Sequence, residues 1–275
     1  MPGVTGFFRG LPLPGPRERL VLLVLLLMTG IAVGTSAWYA SNRTPPTYTP
    51  APKDVGAQAE PTAGAPAPTA VRSPVLAFYG DWFVSGTTRG GSGAAGWPAI
   101  VSRRIGADGT VPHAATDAGY VRPSSTTADT FDTLAQKAPE PNADVTIVFG
   151  GRNDYRATPP EIAAAARRTF ATIRAAAPQT RLLVIGPAWT NPEVPAALPP
   201  IRDAVQQAAT ASGATFVDPL ADRWLFDNPE LLSADGISLT DAGHVYLADH
   251  IEPVVDQLLS EVPGISFAGA AAPIP

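Results

Sequence analysis

The stretch VLAFYGDWFVSG, residues 75–86, sets a short apolar run directly before a glycine and an aspartate. The run 75–79 is typical of a strand buried on both faces, because such strands read as continuous apolar residues. Three similar runs follow, each ending at a glycine or an aspartate: residues 145–149, 182–185 and 215–217. Buried strands that recur in this way predict a parallel sheet.

Helical segments lie between these runs. Thr158-Pro159-Pro160-Glu161 is a helix start, with an N-cap candidate and prolines in the first turn, and it leads into a run that ends at 177. A second helix is predicted over 200–211, and a third runs from a cap at Thr240 or Asp241 to about residue 259. The alternation predicts a three-layer α/β/α sandwich, with functional residues at the carboxyl ends of the strands.

An apolar segment precedes this domain. Residues 20–40 carry no charge and are long enough to cross a hydrocarbon core of roughly 30 Å. Three arginines within residues 1–19 predict a cytoplasmic N-terminus and an extracytoplasmic domain behind a single transmembrane anchor. A cleaved signal peptide is the alternative, because 35–37 is a small-residue cleavage site.

The composition divides the rest of the chain. Residues 41–73 are rich in Pro, Ala and Thr and predict an extended linker, since they cannot bury enough apolar surface to offset their ordering entropy. Residues 74–262 form the predicted domain. The Gly/Ala/Pro-rich tail, 263–275, is predicted to be disordered.

Charge and cysteine content exclude several classes of function. The formal net charge of -5 argues against a nucleic-acid partner. The absence of cysteine excludes a disulfide framework, a thiolate metal site, a cysteine nucleophile and a lipidated cysteine. Nothing in the sequence matches metal-ligand spacing, a phosphate loop or a dinucleotide fingerprint, so no cofactor and no metal are expected.

Three motifs, each after a predicted strand or in a late loop, resemble the blocks of the SGNH, or GDSL-type, hydrolases. The run 80–86 resembles the Gly-Asp-Ser block, Gly151-Arg152-Asn153-Asp154 matches Gly-x-Asn-Asp, and 235–244 resembles the Asp-x-x-His block with its later Gly-His. The stretch 96–120 resembles the segment between the first two blocks. The resemblance implies a flavodoxin-like, SGNH-hydrolase-like sandwich and ester hydrolysis or acyl transfer by a Ser-His-Asp triad.

The chain departs from the family pattern at two positions. Trp82 stands at the serine position and Ser238 at the histidine position. An indole N–H can only donate, and a serine hydroxyl cannot act as a base near neutral pH. Asp81, Asn153 and Asp235 remain, and Asn153 is the family's side-chain donor to the developing oxyanion.

The second block has two candidate positions for its characteristic residue in this sequence. Gly119 is the candidate for its glycine, and Asp117 is the alternative. The resemblance therefore implies a vestigial site, which comprises Asp81, Trp82, Gly119, Gly151, Asn153, Asp235 and Ser238.

Other residues offer a rearranged catalytic set. Ser85 is a displaced nucleophile candidate, with a turn hydroxyl as the plainer interpretation. His244 is the corresponding base candidate, with a capping or packing role as its alternative. His113 and His250 read as a loop residue and a helix-face residue.

Two residues of the vestigial site leave a ligand role open. Arg152 either faces an anionic ligand or is solvated. Trp82 either stacks on a sugar or fills the former pocket.

Three functions follow from these observations. The first is a non-catalytic, membrane-anchored envelope protein that binds a glycan, a lipid or a protein partner. The second is an active esterase or acyltransferase on acylated envelope carbohydrate. The third is a structural subunit of an assembly with a membrane protein partner.

Overall fold

A computed structural model describes residues 72–108 and 112–267, which form a parallel α/β fold. All neighbouring strands run parallel in the order β2-β1-β3-β4-β5, the flavodoxin-like order. The strands are β1 (Leu76–Gly80), β2 (His113–Ala114), β3 (Val145–Phe149), β4 (Arg181–Ile185) and β5 (Thr215–Val217).

Six α-helices cover this sheet within the part of the chain that the structure describes. Short 3₁₀ turns at Gly93–Ala95, Arg152–Asp154 and Pro229–Leu231 supplement them. The helices are α1 (Trp82–Ser85), α2 (Trp97–Ile105), α3 (Phe131–Lys137), α4 (Pro159–Ala176), α5 (Leu198–Ala211) and α6 (Asp241–Ser260).

The core has two halves, one on each face of the sheet, because successive strand residues point to opposite faces. Phe78 and Ile147 pack on one face against α2 and α6. Tyr79 and Val148 pack on the other face against α3, α4 and α5. These two cores confirm the predicted α/β sandwich with a parallel sheet.

The predicted elements shift by at most two residues. β1 begins at Leu76 rather than at 75, β4 begins at Arg181, and α5 begins at Leu198 with its two prolines in the first turn. Thr240 is the N-cap of α6, and its side chain accepts the backbone N–H of Gly243. The sequence did not predict β2, α1, α2 or α3.

The two ends of the described domain lie side by side. The Arg72 N–H donates to the carbonyl of Gly264, and the Ser266 N–H donates back to the carbonyl of Arg72. The Arg72 guanidinium also forms a bidentate pair with Asp144, at 2.7 and 2.5 Å. Backbone pairing therefore extends to residues 264–266, past the predicted domain end at 262.

The predicted anchor, 20–40, and nearly all of the predicted linker lie outside the described residues. Within 72–108 and 112–267, no helix combines the length and the apolar character needed to span a bilayer.

Candidate functional site

Three neighbouring strands end close together on the carboxyl-terminal side of the sheet. Asp81 and Trp82 follow β1, Arg152 and Asn153 follow β3, and Trp189 lies in the loop after β4. Because β3 lies between β1 and β4, these side chains meet beside the β1/β3 switch point. Ligands of open parallel sheets bind at such points.

Asp81 is fully buried and shapes the first loop. Its Oδ1 accepts the Phe83 N–H at 2.9 Å, which caps α1, and its Oδ2 accepts Asn153 Nδ2 at 2.8 Å. Burial raises the pKa of Asp81 to about 7, although these hydrogen bonds and the nearby charge of Arg152 act in the opposite direction.

The amide of Asn153 is turned into the protein. Its Nδ2 donates to Asp81 Oδ2 and to the carbonyl of Ala118, both at 2.8 Å. An amide nitrogen carries two hydrogens, so both are engaged within the domain. The expected oxyanion donor therefore has no free N–H in this arrangement.

Arg152 is enclosed by aromatic rings. Its Cζ lies 5.2 Å from the ring centroid of Trp82, 5.3 Å from that of Phe83 and 5.0 Å from that of Trp189. Each distance is within the range of a cation–π contact. Arg152 is therefore half-buried, and not the solvated arginine that was one sequence-based interpretation. The guanidinium also lies against the ring of Trp82, for which stacking on a sugar was one of two interpretations.

Hydrogen bonding sets Arg152 apart from its neighbours. Its Nη1 is enclosed and has no hydrogen-bond partner. Burial lowers the pKa of its guanidinium, and the nearby charge of Asp81 opposes this shift.

Asp235 and Ser238 lie against each other in the last loop. The Ser238 hydroxyl donates to Asp235 Oδ2 at 2.7 Å, and the Ser238 N–H donates to Oδ1 at 2.8 Å. With the Ile237 N–H, these bonds lower the pKa of Asp235 to about 2, and Arg89 lies 3.3 Å away. Asp235 therefore stays ionised.

Asp154 fixes the loop that carries the second-block candidates. It accepts the backbone N–H groups of Tyr120, Val121 and Arg122 at 2.9, 3.0 and 2.8 Å. A Cβ on Gly119 would lie 2.4 Å from Asp154 Oδ1, so this carboxylate occupies the space of a side chain.

Asp117, the alternative to Gly119, and Gly151, which follows β3, have conformational roles. Asp117, with a φ of 53°, pairs with Arg122 at 2.9 Å. Gly151 has a φ of 113°, which favours glycine.

Ser85 and His244 have separate local partners. Ser85 is exposed and donates to the carbonyl of Gly86, whereas His244 is only 1% exposed. His244 Nδ1 accepts the Trp97 N–H at 3.3 Å, and its ring packs on Gly91, where a Cβ would lie 1.9 Å from Nε2. Its ring therefore has the packing role that was one of the two interpretations.

The remaining histidines are engaged elsewhere. His113 pairs with Glu140 at 2.7 Å, and His250 Nδ1 lies 2.8 Å from the carbonyl of Tyr246. Within 72–108 and 112–267, no serine or threonine hydroxyl forms a hydrogen bond with a histidine ring. The same residues contain no cluster of three or more His, Asp or Glu arranged to hold a metal ion.

Sequence reasoning missed two features of the site. Trp189 carries no family motif, and only its place shortly after the third predicted strand, 182–185, could have indicated it. A cleft of about 510 Å³ also opens beside Asn153, lined in part by Arg122, Tyr155 and Arg156. Tyr155 is 51% exposed.

The chain is similar in sequence to known proteins. Residues 78–246 match the GDSL-like lipase/acylhydrolase family. The GDSL lipase Rv0518 of Mycobacterium tuberculosis is 40% identical over 193 residues, which cover 67% of this chain and 82% of that protein.

Solved structures share the fold. The native aryl esterase of M. smegmatis superposes with a TM-score of 0.53 at 17% identity, over 68% of this chain and 100% of that one. A family two carbohydrate esterase from Clostridium thermocellum, solved in complex with cellohexaose, gives 0.51 at 16% identity, over 72% and 68%. At these identities the likeness concerns the fold alone.

Proposed function

Because the chain belongs to the GDSL-like lipase/acylhydrolase family, we propose that it is a non-catalytic, membrane-tethered member that binds an envelope glycan. The observation that carries this proposal is the place of Trp82. It begins α1 directly after the buried cap Asp81, where the family's Gly-Asp-Ser block has its serine. An indole offers no nucleophilic oxygen.

The other parts of the site support the loss of catalysis. Ser238 stands at the histidine position, and its hydroxyl is bound to Asp235. The donors of Asn153 are turned to Asp81 and Ala118. A site that has lost its nucleophile and its base retains little of the triad's rate enhancement.

The aromatic side chains on the carboxyl-terminal side of the sheet support a glycan ligand. Trp82 and Trp189 are half-buried there, and Tyr155 borders the cleft beside Asn153. Aromatic faces stack on the apolar side of pyranose rings, while polar neighbours bond the hydroxyls. The carbohydrate esterase that shares the fold was solved with a bound oligosaccharide, which is consistent with such a ligand.

Tethering to the membrane rests on the N-terminal sequence. Residues 20–40 are the proposed anchor and 41–73 the tether, with the domain outside the cytoplasmic membrane. Membrane fractionation followed by protease treatment of intact cells tests this arrangement. We expect an integral protein whose domain is cleaved from outside, and a domain protected in intact cells would contradict it.

A direct assay tests the loss of catalysis. The full-length chain, purified in mild detergent, is treated with a fluorophosphonate probe and, separately, with p-nitrophenyl acetate. We expect neither labelling nor turnover above a heat-denatured sample, with an active family esterase as the positive control. Specific labelling of any serine, or turnover that the probe abolishes, would refute the proposal.

Ester hydrolysis is the second candidate function, and the 40% identity to a protein named as a GDSL lipase favours it. It requires a nucleophile other than the residue at position 82. Ser85 is the nearest hydroxyl in the first block, and it is bonded to the carbonyl of Gly86 rather than to a histidine. The mapped site of probe labelling separates this candidate from the first.

A further inference from the structure

Arg152 has charge and donors that the domain does not use. No hydrogen bond and no ion pair joins its guanidinium to any residue in 72–108 or 112–267, and Nη1 is enclosed without a partner. Other arginines of the domain pair with carboxylates: Arg72 with Asp144, Arg104 with Asp249, Arg122 with Asp117 and Arg202 with Asp218. A partly desolvated cation of this kind costs free energy unless a counterion meets it.

Asp81 is the carboxylate whose charge acts on Arg152, but it does not pair with it. Its oxygens accept from Phe83 and Asn153, and it forms no ion pair with the guanidinium within 4 Å. Asp81 therefore does not supply a paired counterion for Arg152.

We propose that Arg152 binds a carboxylate of the ligand, so that the site selects glycans that contain uronic acids. This inference rests on the proposed glycan-binding function and adds the charge of the ligand to it. The guanidinium presents parallel N–H donors that match the two oxygens of a carboxylate. It lies centrally in the site, over the end of β3, between the strands that carry Trp82 and Trp189.

The aromatic surroundings favour a flat anion. A carboxylate in a bidentate pair lies in the plane of the guanidinium, and the rings of Trp82 and Trp189, whose centroids lie 5.2 and 5.0 Å from Cζ, border that pair. A tetrahedral phosphate can pair with the same donors, but it carries further oxygens outside that plane, and the faces of the surrounding rings offer them no hydrogen-bond donor. The parts of the two half-buried indoles that Arg152 leaves uncovered can then contact the pyranose ring that bears the carboxylate.

The guanidinium is accessible from one side. Nη1 is the nitrogen that is both enclosed and unpartnered, so Nε and Nη2 retain contact with solvent. An incoming carboxylate meets this exposed edge first. Burial of the ion pair against the rings then strengthens it relative to a pair in open water.

Calorimetric titration of the full-length chain in mild detergent tests the proposal. The probes are tetragalacturonate and its carboxyl-reduced, uncharged counterpart. We expect the acidic tetrasaccharide to bind at least about tenfold more tightly than the reduced one. Arg152→Gln should abolish this preference, and Arg152→Lys should recover part of it, since it keeps the charge but not the planar donors.

Arg168→Gln is the matched control. Arg168 is exposed on α4, and its replacement by glutamine removes the same charge. The Arg168→Gln variant should therefore bind tetragalacturonate as tightly as the parent chain. Thermal unfolding monitors the fold of each variant. We expect Arg152→Gln to stay folded, because the removal of an unpaired charge offsets part of the loss of its contacts with three rings, and Arg152→Lys provides the comparison if Gln fails to fold.

Each alternative result has a distinct meaning. Equal affinity for the two tetrasaccharides, or equal losses in Arg152→Gln and Arg168→Gln, would overturn the carboxylate site. Displacement of tetragalacturonate by an equal concentration of inorganic phosphate would overturn the preference for a planar anion. Ester turnover by the parent chain would instead refute the proposed non-catalytic function, whatever the titrations show.

Discussion

The Ser238 hydroxyl donates a hydrogen bond of 2.7 Å to Oδ2 of Asp235. In a Ser-His-Asp triad, the carboxylate holds the histidine by the ring N–H that faces it. Asp235 thus faces the side chain at position 238 in the way that would orient a base. The contact that a triad makes between its aspartate and its base is therefore present here, at a residue that cannot serve as a base near neutral pH.

The double change Trp82→Ser and Ser238→His should therefore create measurable esterase activity. The new hydroxyl would follow Asp81, and the new imidazole would face Asp235. We expect turnover of p-nitrophenyl acetate at least about tenfold above either single variant, since triad members act as a unit. Activity should remain weak, because both N–H groups of Asn153 are engaged elsewhere.

The single variants are the controls for this experiment. Each should match the parent chain, and fluorophosphonate labelling of the double variant should map to position 82. Labelling at another serine, or an inactive double variant that folds normally, would argue against the alignment of positions 82 and 238 with the family's triad.

Replacement of Ser85 and His244 separates the rearranged catalytic set from a structural role. Ser85→Ala should change the free energy of unfolding by less than about 0.5 kcal/mol, because the side chain is exposed. His244→Ala should cost about 2–4 kcal/mol, since it leaves a cavity and removes the acceptor of the Trp97 N–H. Urea unfolding measures both.

The binding of the glycan should be the same in Ser85→Ala as in the parent chain. If the parent showed ester turnover that both substitutions abolished while Ser85→Ala stayed folded, the rearranged set would be the correct interpretation.

The main strands and helices could be predicted because each carries a local signal. β1, β3 and β4 are continuous apolar runs, and α4 begins at a recognisable proline turn. β2 has two residues, which hold their place by pairing with Tyr79 and Gly80 of β1. Such a strand depends on tertiary contact, so its own residues do not reveal it.

The candidate site was predictable in part, for the same reason. Motif order brought Asp81, Asn153 and Asp235 into consideration, because each stands at a fixed offset in a family block. The cage around Arg152 was not predictable, since it depends on Trp189 from a loop without a motif. The direction of the Asn153 amide is likewise a tertiary outcome, set by the carbonyl of Ala118.

Gly119→Ala should destabilise the domain through Asp154. The added Cβ would lie 2.4 Å from Oδ1 of Asp154, and the two oxygens of this carboxylate together accept three backbone N–H groups. We expect a loss of about 2–3 kcal/mol in urea unfolding. Gly93→Ala is the control, because it meets no atom within 4 Å and suffers only from its positive φ, which costs about 1 kcal/mol. Equal losses would mean that Asp154 moves aside without cost.

Two buried groups should give opposite pH dependences of stability. Asp81 has a folded pKa of about 7, above its unfolded value, so the folded state retains a proton that the unfolded state releases. Its contribution to stability therefore falls as the pH rises between about 4 and 7. Burial lowers the pKa of His244 to about 4. The unfolded state then binds the extra proton, and stability falls as the pH drops from about 6.5 to 4.

These slopes oppose each other in the parent chain, so single substitutions should expose them. In Asp81→Asn the contribution of His244 remains. The unfolding free energy of this variant minus that of the parent should therefore rise with pH, by up to about 1.4 kcal/mol per pH unit. His244→Asn should show the reverse trend. Urea unfolding at pH values from about 4.5 to 6.5 measures the difference in unfolding free energy between each variant and the parent. The titration of distant carboxylates cancels in this difference. Parallel profiles for Asp81→Asn and the parent would show that Asp81 is ionised throughout this range. The charge of Arg152 would then offset the cost of burying the ionised carboxylate of Asp81.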